Sequence, residues 1–92
     1  MYNNLTYDFL GAIYEKSTLD ELNICLNSII NQTIKPKKVV LVIDGPIQFD
    51  INKILNTFER FIKIILVKIK KNSGLGIALR EGLKFCTSEY VL

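Results

Sequence analysis

Residues 39 to 46 read "VVLVIDGP". Five apolar residues, four of them β-branched, run without a polar break into Asp44, Gly45 and Pro46. A strand with one wet face alternates apolar and polar residues. A continuous apolar run suits a strand covered on both faces, as in a parallel sheet. Gly and Pro then end the run. The carboxyl ends of parallel strands are where open α/β sheets take their ligands. Asp44 therefore has two readings: a ligand contact at that end of the sheet, or a cap that closes the loop onto Gly45.

The flanking sequence supports the parallel sheet. "DFLGAIY" at 8–14 reads as a first strand. Thr18, with Glu21 three residues later, is a capping-box pattern that opens a helix. Leu19, Leu22, Leu26, Ile29 and Ile30 share one face of that helix, which should end near Asn31. Residues 38–43 form the second strand, and Asp50 can cap a second helix with Ile51, Ile54, Leu55 and Phe58 inward. "FIKIILVKI" at 61–69 is the third strand, followed by the polar, glycine-bearing loop "KNSGLG". A third helix is predicted from about Ile77 to Cys86 with Leu79, Leu83 and Cys86 inward, and "EYVL" begins a fourth strand. The pattern β-α-β-α-β-α-β predicts a Rossmann-like three-layer α/β/α fold, with right-handed crossovers and strand order 3-2-1-4. Three loops, at 14–17, 44–46 and 71–76, should meet near the switch point between strands 1 and 4.

Bulk properties narrow the function classes. Ninety-two residues make one small domain. Hydrophobic residues make up 49% of the chain and charged residues 23%, which suits a folded globular protein. The formal charge of +3 is mild. Its lysines gather at 35, 37, 38 and at 63, 68, 70, 71, flanking predicted strands, so they read as solvated strand ends. No aromatic residues interleave with them, which argues against nucleic acid as a partner. Histidine is absent, which removes histidine metal sites and Ser-His or Cys-His catalysis. Cys25 and Cys86 are far apart, lack a C-x-x-C pair, and read as reduced, buried thiols on helices. No apolar run has membrane-spanning length and no signal-peptide pattern opens the chain, so the expected location is cytoplasmic, with any membrane association supplied by segments outside this sequence. The loop after strand 1 holds no glycine, "GLG" at 74–76 lacks a third glycine at 79, and no P-loop string occurs. Nicotinamide, flavin and Walker-type phosphate binding are therefore not expected.

Several stretches, in order, resemble family 2 glycosyltransferases of the GT-A fold: "YE" at 14–15, "CLNSIINQT" at 25–33, "KKVVLVIDGP" at 37–46 and "NSGLGIALREGLKFCTSEYVL" at 72–92. The resemblance implies roles. Asp44 would contact the nucleotide base, usually uracil, whose N3–H a carboxylate can accept. Tyr14, beside Glu15, would shape the base pocket, and Asn72 would line the nucleotide site. Gly74 and Gly76 would let the backbone come close to the ligand. Arg80 would reach the diphosphate, although it stands one place, about 100° of helix rotation, beyond the arginine that many members carry. Ile43 stands where many members have a first acid. Each role has a plainer alternative. Tyr14 can be a packing residue, Asn72 a turn residue in the left-handed region, and Glu15 and Arg80 solvated charges. Gln32 and Thr33 read as helix-end hydrogen bonders.

Family members carry an Asp-x-Asp metal motif just past strand 4 and a general base further on. This sequence stops short of both, so no catalytic or metal-binding residue is assigned within it. The resemblance implies a longer parent that uses a UDP-sugar with Mg²⁺ or Mn²⁺. Residues 1–92 would be its sugar-nucleotide-binding part, inactive alone and binding no metal itself. Two other classes stay open at this point: a small stand-alone α/β nucleotide-binding module, and an interaction domain that self-associates through exposed sheet edges.

Overall fold

A computed structural model describes residues 6–92. Residues 1–5 of the expected domain lie outside the described residues. Strand β1 (Tyr7–Ile13) leads through helix α1 (Leu19–Ile30) to strand β2 (Lys38–Asp44). Helix α2 (Ile51–Phe58) follows, then strand β3 (Ile64–Ile69), helix α3 (Leu75–Leu83) and strand β4 (Tyr90–Val91). All pairings are parallel and the order is β3-β2-β1-β4, as the sequence predicts.

Alternation along the strands divides the two faces. Phe9, Ile13, Val39, Leu41 and Ile43 meet Leu22, Leu26 and Ile29 of α1 and Ile51, Ile54, Leu55 and Phe58 of α2 in one apolar cluster. Leu10, Val40 and Val42 point to the other face, where α3 lies with Ala78 and Gly82 buried. The chain moves from β1 to β3 with helices on one face, then returns across the sheet to β4 with a helix on the other. All three crossovers thus share one hand. Among the described residues, no helix is long and apolar enough to cross a membrane.

Local signals explain the element ends. The Thr18–Glu21 capping box forms in both directions, and the Asp50 side chain accepts from the Asn52 N–H at 3.0 Å. Gln32 does act at a helix end: its N–H donates to the Ile29 carbonyl. The Tyr7 hydroxyl sits 2.7 Å from the Ile34 carbonyl and 2.8 Å from Gln32 Oε1, tying that end to β1.

Five expectations need correction. Strand β3 starts at Ile64, not 61, because the Phe58 carbonyl accepts from both the Phe61 and Ile62 N–H groups and turns the chain after α2. Phe61 is left exposed. Helix α3 starts and stops earlier than expected, and Ala78 and Gly82 form its inner face, with Leu83 half exposed. Leu19 lies outside the α1 core face. Lys38 is buried rather than a solvated strand end. Cys25 and Cys86 are free and only partly buried; burial pushes both thiols up, so both stay protonated at neutral pH.

Gly82 is where α3 approaches the sheet most closely. A Cβ there would come within 2.5 Å of Leu10 Cδ1 and of Val42 Cγ2. At Gly76, in the first turn of the same helix, a Cβ would meet nothing within 4 Å. Gly82→Val is expected to destabilise the fold by about 1–3 kcal/mol through overpacking. Gly76→Ala should stabilise it by about 0.5 kcal/mol through helix propensity. Urea unfolding of the two variants checks the opposite signs.

Candidate functional site

The carboxyl ends of β1 and β2 and the loop before α3 enclose a cavity of about 450 Å³. Ala12, Tyr14, Asp44, Asn72, Gly74 and Leu75 line it. Tyr14 follows the last residue of β1, where a tight turn holds it. The Ser17 N–H donates to the Tyr14 carbonyl at 2.9 Å, and the Tyr14 N–H donates to Ser17 Oγ at 3.1 Å. Tyr14 is about half exposed on the cavity wall and lies outside the apolar core cluster.

Asp44 closes β2 and is only 3% exposed. Its Oδ1 accepts from the Ser73 N–H at 2.8 Å, and its Oδ2 accepts from the Gly74 N–H at 3.0 Å. A buried carboxylate must be hydrogen-bonded, and this one finds two consecutive backbone donors from the 71–76 loop. The alternative reading, a cap onto Gly45, does not form; the carboxylate caps the Ser73–Gly74 loop instead. The Gly45 N–H donates instead to the Ile69 carbonyl and extends the β2–β3 ladder by one bond.

Asn72 is a turn residue, but not a left-handed one, since only glycines have positive φ among the described residues. Its Oδ1 accepts from the Gly74 N–H at 3.2 Å, an Asx-type turn. Gly74, at φ +92°, then serves as the N-cap of α3. Asp44 and Asn72 thus share the Gly74 donor, and α3 starts directly behind it at Leu75.

Tyr14, Asp44, Asn72 and Gly74 are therefore brought to one cavity. Glu15, Gly76 and Arg80 are not among its lining residues. Arg80 sits six residues past the N-cap, about 9 Å along the helix axis, on an exposed face. Ala12 and Leu75 complete the wall, and sequence reading missed both. Alternation along β1 could have found Ala12, which shares its face with Leu10. Leu75 follows only from knowing where α3 starts. The cavity combines an apolar wall of Ala12, Leu75 and the Tyr14 ring with polar groups from Asp44 and Asn72, a mixture that suits a flat, partly polar ligand.

A cavity at the carboxyl ends of a parallel sheet covered on both faces places the protein among Rossmann-like α/β ligand-binding folds. Comparison with known proteins goes further. The model of "Glycosyl transferase family 2" matches residues 12–92, and the chain belongs to that family. It is 33% identical over 85 residues to the amylovoran biosynthesis glycosyltransferase AmsE of Erwinia amylovora, covering 92% of this chain and 32% of that protein. It is also 33% identical over 86 residues to the UDP-Gal:alpha-D-GlcNAc-diphosphoundecaprenol beta-1,3-galactosyltransferase of Escherichia coli, covering 94% of this chain and 31% of that one. The chain thus spans about a third of the length of these curated relatives. The crystal structure of S. aureus TarS has the same fold, with a TM-score of 0.74 and 23% identity over 96% of this chain and 16% of TarS.

Gly45 tests how tightly the site is built. Its φ is +84°, and a Cβ would lie 2.7 Å from the Asn72 backbone nitrogen. Gly45→Ala is expected to cost about 2 kcal/mol or more in stability, from backbone strain and the contact with Asn72. The amide resonances of Asn72, Ser73 and Gly74 should shift while those of α1 stay in place. Chemical denaturation and an amide NMR spectrum check both halves.

Proposed function

We propose that this chain forms the nucleotide-binding part of a glycosyltransferase that takes its sugar from a UDP-sugar. The observation that carries the reading is the Asp44 carboxylate in the wall of the cavity that Tyr14 and Asn72 also line. Each carboxylate oxygen accepts one backbone N–H and keeps a second lone pair. That lone pair suits the N3–H of a uracil. Cytosine presents an acceptor at N3 and would meet the carboxylate lone pair to lone pair. Tyr14 and Leu75 offer apolar surface to the faces of the base, and the resemblance to the galactosyltransferase supports a UDP-linked donor.

The residues present do not make a site for the divalent cation that the family implies. Among the described residues, no three acidic, cysteine or histidine side chains gather, and the Asp44 oxygens already hold N–H donors. On this proposal Mg²⁺ or Mn²⁺ would draw its carboxylates from the longer parent, as would the general base. What this chain's own residues do is bind and orient the nucleotide: Asp44 the base, Tyr14 its face, and the Asn72–Gly74 loop the wall beside it.

Calorimetric titration tests the proposal. UDP should bind at least about 10-fold more tightly than CDP, the equivalent of one charge-assisted hydrogen bond. Asp44→Asn should erase most of that preference. Equal affinity for the two nucleotides in the unaltered chain, or full discrimination retained in Asp44→Asn, would sink the base contact. Mixed with UDP-sugars, Mn²⁺ and saccharide acceptors, the chain alone should transfer no sugar; turnover above background would overturn that part.

A further inference from the structure

At the end of the sheet away from the cavity, Asp8 of β1 is fully buried. Its Oδ2 accepts from the backbone N–H of Thr87 at 2.7 Å and of Ser88 at 3.0 Å. Its Oδ1 accepts from the Ser88 hydroxyl at 2.7 Å. Lys38 Nζ, from the neighbouring strand β2, stands 3.8 Å from Oδ2 and donates to Thr87 Oγ1 at 2.6 Å. Two strands of the sheet thus converge on two consecutive residues between α3 and β4. Nothing in the proposed nucleotide site uses this network.

The segment it holds has little else to anchor it. Strand β4 is two residues long and pairs only with β1. Leu83, Phe85, Tyr90 and Leu92 are each about half exposed or more. The Leu92 N–H donates to the Asp8 carbonyl, the Leu10 N–H to the Leu92 carbonyl, and the Tyr90 N–H to the Thr6 carbonyl. Backbone bonds of this kind do not by themselves choose a register, and exposed side chains do not choose one either.

We infer that Asp8 is a positioning residue whose carboxylate fixes the end of α3 and the register of β4 against β1, and that its loss or protonation releases residues 84–92 as one local unit while the β1–β2–β3 sheet stays folded. The groups that face it are Lys38 from β2 and the Cys86 thiol beyond α3. Burial by itself would raise the Asp8 pKa. The hydrogen bonds from Ser88 and Thr87 and the Lys38 charge outweigh burial and hold it below the ordinary value of 3.8. A group whose folded pKa is depressed stabilises the fold above its unfolded pKa and loses that effect as pH falls through the folded value. The latch is therefore set at neutral pH and opens in acid, below 3.8.

Amide hydrogen exchange on the unaltered chain and on Asp8→Asn, both at neutral pH, tests the inference. The reporters are the Leu10, Tyr90 and Leu92 amides. The controls are Val39 and Gly45, which donate across the β2–β3 ladder to Lys63 and Ile69. Asp8→Asn should speed exchange at the reporters by about 10- to 100-fold and leave the controls within about twofold. Equal acceleration at all five amides, or none at the reporters, overturns it. Should Asp8→Asn fail to fold, Ser88→Ala keeps the carboxylate and both backbone bonds, and should speed the same reporters by about fivefold, controls unchanged; uniform or absent acceleration there overturns it equally. A purely structural aspartate would not give the third readout: in the unaltered chain, the Thr87 and Ser88 amide shifts should titrate with a midpoint below 3.8, and a midpoint at or above it contradicts the charged latch.

Discussion

Strand β2 has neither an edge nor a face open to water. All seven of its residues are buried, β1 and β3 take its two edges, and helices cover both sides. For Val39 to Ile43 this is favourable, at about 1.5–3 kcal/mol for each apolar side chain removed from water. For the two charged residues at its ends it is costly unless each finds a partner. Lys38 finds Thr87 and Asp8, and Asp44 finds the Ser73 and Gly74 amides. These partners lie just before and just after α3, except Asp8, which itself holds Thr87 and Ser88. Burying β2 therefore does more than build a core. It obliges the two ends of the strand to seize the two ends of the helix that crosses behind it.

That obligation matters because α3 has little else to hold it. Helices α1 and α2 bring seven buried apolar side chains to their face of the sheet. Helix α3 buries only Ala78 and Gly82, and it leaves Leu75, Ile77 and Leu83 exposed. Small residues at the contact let the helix lie close to Leu10 and Val42, but they contribute little apolar area. The helix is located mainly by directional bonds at its two ends, each made by a carboxylate to a pair of consecutive backbone N–H groups. Directional bonds fix position more sharply than apolar area does. The element that supplies Gly74 and Leu75 to the cavity is thus set by geometry rather than by bulk.

Most of the fold was legible in the sequence, because it rests on periodicity and on caps. The apolar run before Asp44, the Thr18–Glu21 box and the Asp50 cap each act locally, and each formed where the residues indicated. A local turn onto the Phe58 carbonyl delayed β3, but the larger errors came from interactions between residues distant in sequence. Helix α3 was misplaced by two residues at its start and three at its end, since Asp44 and Asp8 decide its limits from 29 and 79 positions away. Lys38 looked like one of several solvated lysines, and only the neighbouring strand reveals its buried partner. In the cavity, Tyr14 and Asp44 at the strand ends were readable, because a parallel sheet brings its carboxyl ends together whatever the details, while Ala12 just before the end of β1 was missed. Arg80 also reads as a solvated charge, and α3 leaves it exposed.

The same dependence shapes the chemistry proposed for Asp44. A carboxylate that recognises a base edge from a flexible loop would lose entropy when the ligand bound. Here both oxygens are already fixed by Ser73 and Gly74, and the remaining lone pairs point where the loop leaves them. Orientation is settled in folding rather than in binding. The consequence is that base contact and loop order are one property of this residue. An amide in place of the carboxylate would present an N–H₂ to a backbone N–H that needs an acceptor, so it would disturb Asn72 and Gly74 as well as the base. This coupling is why the comparison of UDP with CDP on the unaltered chain, where the loop stays intact, separates recognition from scaffold more cleanly than any substitution at Asp44 can.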